Sequence, residues 1–124
     1  MTNTQVLVLA TTRNGYVLLA DDRLPGAPVP HHGDLALTGR LALAGQTGLL
    51  ADITHAWTVH PTGTDNTGEL WILDGGTHNT VPDTTEDTNP NARWAPITTF
   101  AQDPAIREAL DARDTGTSIQ IPTV

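Results

Sequence analysis

Apolar residues fall in short blocks separated by turn-forming dipeptides, and the blocks change period along the chain. Gln5–Ala10 (QVLVLA) and Tyr16–Ala20 (YVLLA) are compact apolar runs on either side of polar Thr11–Gly15. Asn14-Gly15 best accommodates two positive φ angles in a tight turn, so the pair of runs predicts an antiparallel hairpin. Asp21–Gly33 holds three Pro and two Gly and predicts a loop or short-strand region. From Asp34 to Gln46 Leu and Ala recur at helical spacing, Asp34 suits an N-cap, and Gly48 suits the left-handed residue that ends many helices. Gly39 and Gly45 each weaken such a helix by roughly 1 kcal/mol relative to Ala. Packing of Leu37, Leu41 and Leu43 on a sheet is therefore expected to hold it.

Ile53–His60 (ITHAWTVH) is rich in β-branched and aromatic residues and predicts a strand with Ile53, His55, Trp57 and Val59 on one face. Pro61–Gly68 is turn-rich, and Glu69–Asp74 (ELWILD) reads as a buried strand. Gly75–Asn91 is almost free of apolar residues and predicts an exposed loop. Arg93–Ala95 predicts a brief strand and Ile97–Phe100 a turn. Pro104–Ala112 predicts a helix with Pro in its first turn and Ile106, Ala109 and Leu110 inward. The tail after Asp114 is expected to fray. Trp71 and Trp94 are expected in the core.

Composition narrows the class. A chain of 124 residues with 38% apolar and 16% charged residues suits one globular domain and not a disordered or membrane-spanning one. The net charge is −8, and the six basic residues are all Arg, scattered between Arg13 and Arg113. Duplex nucleic acid is thus not an expected partner. The absence of Cys excludes disulfides, thiolate metal sites and a cysteine nucleophile. Met1–Gln5 lacks the features of a signal peptide, so the cytoplasm is the expected compartment and no membrane association is expected.

The order of elements, the Thr47-Gly48-Leu49 end of the first helix and the Arg93-Trp94-Ala95-Pro96 segment resemble the Nudix family over about Gln5 to Ala112. The family's box, GX5EX7REUXEEXGU with U apolar, lies on Ala27–Leu49 without a gap, after Pro25-Gly26. Leu43, Gly48 and Leu49 match its apolar and glycine positions. Its first Gly is Ala27, its first Glu is Gly33, its Arg-Glu pair is Leu41-Ala42, and its Glu-Glu pair is Gly45-Gln46. The resemblance implies an α+β fold, a Nudix-like sandwich of a mixed sheet between two helices in a single domain. In the family the helix carboxylates bind divalent cations that neutralise a diphosphate and activate water. The replacements imply loss of that metal site, so no metal and no cofactor are expected.

Candidate chemistry then rests on a few side chains. His31 and His32, with Asp34 two residues on, precede the helix; a His there suits general acid/base work, and the plainer alternative is a solvated loop pair. His55 and Trp57 are candidate ligand-binding residues, as is Glu86 of the acidic group Asp83, Glu86 and Asp87. A metal-free enzyme acting on a small molecule through His31 or His32 and Asp34 is the leading expectation. A non-catalytic module binding a small molecule or a protein is the alternative. A divergent diphosphate hydrolase with ligands from Asp34, Asp83, Glu86 and Asp87 comes third. A homodimer is left open.

Overall fold

The computed structural model describes residues 4–21, 23–29, 34–49, 52–62, 68–78, 92–100 and 103–121. Among these the elements run β1 (Thr4–Thr12), β2 (Tyr16–Ala20), β3 (Gly26–Pro28), α1 (Leu35–Thr47), β4 (His55–Thr62), β5 (Gly68–His78) and β6 (Ala92–Pro96). A 3-10 turn (Ile97–Phe100), α2 (Pro104–Thr115) and β7 (Ile119–Gln120) follow. The strands form one mixed sheet in the order β6-β2-β1-β5-β4-β7, with β3 also beside β1. β1 runs parallel to β5, Val6 opposite Trp71 and Val8 opposite Leu73, and antiparallel to β2 and β3 along its other edge. Parallel neighbours need a crossover connection, and α1 lies within that crossover.

Both faces of the sheet are covered, which is why β1 and β2 read as apolar runs instead of alternating. Val6, Val8, Ala10, Leu18, Leu73 and Trp94 face α1 and pack with Leu43 and Ile53. Leu9, Val17, Leu19, Ile72 and Ala95 face the other way and pack with Ile106 and Ala109 of α2. Trp71 and Trp94 are buried as expected, 8% and 9% exposed. The architecture is the expected α+β sandwich of a mixed sheet between two helices.

Four local expectations change. Asp21 is the one described non-glycine residue with positive φ, so Asn14 does not take the conformation expected of it. The hairpin instead closes over Arg13–Gly15: the Gly15 N–H donates to the Thr12 carbonyl at 3.2 Å, and only Gly15 is left-handed, with φ 92°. β5 runs past Asp74 to His78, pairing Thr77 and His78 with Thr11 and Thr12 of β1. Gly75 permits this, since a Cβ there would lie 2.6 Å from Val8 Cγ1. Nor does the tail fray as far as Ile121, the last described residue: β7 pairs Ile119 with Ala56, and Ile121 is buried in the α1-side core. Finally, a register shift between Ala56 and Thr58 splits the expected single face of β4. Ala56 and Ile53 pack on the α1 side, Trp57 packs on the α2 side, and His55 is exposed.

The facing of α1 also differs from expectation. Its caps are as expected, with the Asp34 carboxylate accepting the Leu37 N–H at 3.1 Å and Gly48 left-handed at φ 78°. Leu43 is fully buried, but Leu37 and Leu41 are 50% and 64% exposed. The sheet-facing row is Gly39, Ala42, Leu43 and Thr47. A Cβ on Gly39 would stand 2.5 Å from Leu73 Cδ1, so the bare backbone lets α1 approach β5 closely. The small residues turn inward, and the outer leucines are rotated away.

Candidate functional site

α1 has a cavity at each end. The larger, a cleft of about 820 Å³, is walled by Gln5–Leu7 of β1, by β3, by Ala20 at the end of β2 and Asp21, Arg23 and Leu24 after it, by Gln46, and by Asp103 and Ile106 at the start of α2. Gly26 stands opposite Leu7 in the β3–β1 register, where a Cβ would lie 2.3 Å from the Val6 carbonyl. That close seat brings the Gly26 backbone against Gln46. Gln46 Nε2 donates to the Gly26 carbonyl at 2.7 Å, and the Gly26 N–H donates to Gln46 Oε1 at 3.3 Å. The clamp requires a side chain that donates and accepts at once, as a carboxamide does and an ionised carboxylate does not.

The opposite rim comes from a tight turn after β2. Ala20 and Arg23 exchange both backbone hydrogen bonds, at 2.7 and 3.0 Å, and Asp21 takes the left-handed conformation at φ 51°, which Asp tolerates better than most residues. Arg23 is exposed on this rim, and its guanidinium has no hydrogen-bond or ion-pair partner among the described residues. Asp103 caps α2, its carboxylate accepting the Ile106 N–H at 3.2 Å. The cleft thus has an apolar floor of Leu7, Leu24 and Ile106, one cation, two carboxylates and two amides.

The smaller cavity, about 430 Å³, lies at the N-terminal end of α1 and is lined by Asp34, Ala36, Leu37, Arg40, Ile53, Thr54, Gln120 and Ile121. Arg40 Nη2 donates to the Ile53 carbonyl at 3.1 Å. Thr54 Oγ1 lies 2.8 Å from Nδ1 of His55.

The sequence-predicted site residues divide accordingly. Asp34 borders the smaller cavity and His55 bonds a residue of its wall, whereas Trp57 is packed against the α2-side core. Asp34 and Gln46 are separated by roughly 18 Å of helix rise, so Asp34 does not share the larger cleft. His31, His32, Asp83, Glu86 and Asp87 lie outside the described residues. The remaining histidines diverge: His60 stands 3.3 Å from Glu108, and His78 packs edge-on against Trp94 with ring centroids 6.0 Å apart. No three His, Asp or Glu side chains among the described residues are grouped to hold an ion. Sequence reasoning passed over Arg23, Asp21 and Asp103, and it noted Gln46 only as a missing Glu. The available signal was the charged Asp21-Asp22-Arg23 run directly after a strand.

No family model and no curated protein matches the chain. Solved structures do. A NUDIX hydrolase from Nitrosomonas europaea superposes with a TM-score of 0.67 at 14% identity, over 97% of this chain and 93% of that one. The NUDIX domain of Shewanella oneidensis NrtR, complexed with ADP ribose, matches with a TM-score of 0.63 at 14% identity, over 90% and 88%. A third match is to the complex between the C-terminal domain of mouse MUTYH and human PCNA, with a TM-score of 0.65 at 14% identity, over 99% and 95%. The protein therefore has a Nudix-like fold. No described helix is long and apolar enough to cross a membrane.

Proposed function

We propose that the protein binds a small, partly apolar molecule carrying one anionic group in the cleft at the Gln46 end of α1, without a divalent cation. The observation that carries this reading is the Gln46–Gly26 clamp. Hard cations require several oxygen ligands, carboxylates above all. Ala42 and Gly45, at box positions, carry no side-chain donor atom, and both polar atoms of Gln46 are engaged by the backbone. These residues do not fit a divalent cation, and no reaction step is assigned to one. Arg23 supplies the charge for an anionic group, and Leu7, Leu24 and Ile106 receive the apolar part. Asp21 on the rim opposes a polyphosphate, which would bring several negative charges beside its carboxylate. The NrtR domain, whose structure holds ADP ribose, supports small-molecule binding on this fold.

A second reading has its own observation. Asp34, which follows His31-His32 closely in sequence, and Thr54, bonded to His55, border the same smaller cavity. This favours acid/base catalysis with Asp34 as the partner carboxylate, for which the sequence offers His31 and His32.

One set of measurements tests both. Saturation-transfer NMR with nucleosides, nucleotides and aromatic carboxylates, in buffer containing chelator, should find a saturable ligand whose affinity falls about tenfold in Arg23→Gln, the scale of one lost charge-assisted hydrogen bond. Binding that requires magnesium, or magnesium-dependent turnover of nucleoside diphosphate derivatives, overturns the metal-free reading. If the second reading holds, His31→Ala or His32→Ala removes roughly 10²–10⁴-fold of the rate while binding at Arg23 is unchanged.

A further inference from the structure

At the other end of α2 from the cleft, the turn between β1 and β2 meets the last turn of the helix. A hollow of about 350 Å³ lies there, lined by Thr12, Arg13, Gly15, Thr77, Arg113 and Asp114. Two of the protein's six basic residues face this one space, although the chain carries a net charge of −8. Arg13 has no side-chain partner among the described residues. Arg113 is held largely within the surface, its side chain 20% exposed, and it directs Nε and Nη2 onto Asp114 Oδ1 at 3.3 and 2.9 Å. Asp114, by contrast, is 65% exposed. With its carboxylate partner in solvent, a pair between chain neighbours contributes little, so Asp114 is an easily displaced occupant.

The surroundings suit an anion in other respects. A helix C-terminus normally presents bare carbonyls, which repel negative charge. Here those of Ala112 and Arg113 are engaged: the Thr115 hydroxyl lies within hydrogen-bond distance of the Asp111 and Ala112 carbonyls, the Thr117 N–H donates to that of Ala112, and the Gly116 N–H donates to that of Arg113. We propose that this hollow is an anion site at which a phosphate group displaces Asp114 and is gripped by the guanidinium groups of Arg13 and Arg113. Planar guanidinium forks match phosphate oxygens in pairs, and two from different elements enclose the group. The site is separate from the cleft and does not depend on what the cleft binds.

Inorganic phosphate is the probe, titrated at constant ionic strength with chloride as the counter-ion and followed by amide shifts of Arg13, Gly15, Thr77 and Asp114. Saturable shifts confined to these residues are expected. Arg13→Gln and Arg113→Gln should each weaken binding about tenfold, and Asp114→Asn should tighten it severalfold, because it removes the competing carboxylate. The opposite sign for Asp114→Asn is the distinguishing result, and that variant leaves the core untouched. Phenyl phosphate separates the sources: equal or tighter binding identifies a phosphate ester as the ligand, and weaker binding identifies free phosphate. Shifts that chloride reproduces, that fail to saturate, or that persist unchanged in Arg13→Gln overturn the proposal.

Discussion

The two faces of α1 draw on the same few residue types and carry opposite consequences. Inward lie Gly39, Ala42, Leu43 and Thr47; outward lie Leu37, Leu41 and Gly45. Leucine and glycine occur on both sides, so neither type marks the core. Gly39 is surrounded by Leu73, Ile53 and Val8, whereas a Cβ on Gly45 would meet nothing within 4 Å. The comparison shows that a glycine weakening a helix locally can determine how that helix seats. Close approach at Gly39 fixes the rotation of α1, and the rotation leaves Leu37 and Leu41 in solvent while presenting Gln46 to Gly26.

The largest effect is expected at Leu43. Leu43→Ala is expected to cost about 2–5 kcal/mol, because it opens a cavity between α1 and the sheet. Urea unfolding measures it, and a loss no larger than that of Leu41→Ala would mean that α1 is facing the wrong way. Next in size, Gly39→Ala should destabilise by roughly 1–3 kcal/mol despite the better propensity of Ala, because the new methyl meets fully buried Leu73. On the outer face the sign reverses, and Gly45→Ala should stabilise by about 0.5–1 kcal/mol, seen as a higher Tm. Leu41→Ala should be smallest, within about 0.5 kcal/mol, as for other surface changes. A stabilising Gly39→Ala would remove the explanation offered for the helix rotation.

Local pattern was sufficient for most of the elements. β2 runs Tyr16–Ala20 as expected, Asp34 and Gly48 cap α1, and Ile106 and Ala109 face inward from α2. Period, capping chemistry and turn dipeptides act over a few residues, so they can be read in order along a chain. The α+β class follows from the succession of those elements. Contacts between distant residues could not be read that way. Gly39 against Leu73 sets the face of α1, and Ala56 opposite Ile119 turns an expected frayed tail into β7. β5 continues to His78 because Gly75 admits Val8. The cleft depends on long-range contact even more strongly, because Gln46 gains its role only where β3 lies against β1 and offers it the Gly26 backbone. A side chain's partner across a sheet or helix packing is set by the three-dimensional path of the backbone, and the one-dimensional spacing of residue types does not encode that path residue by residue.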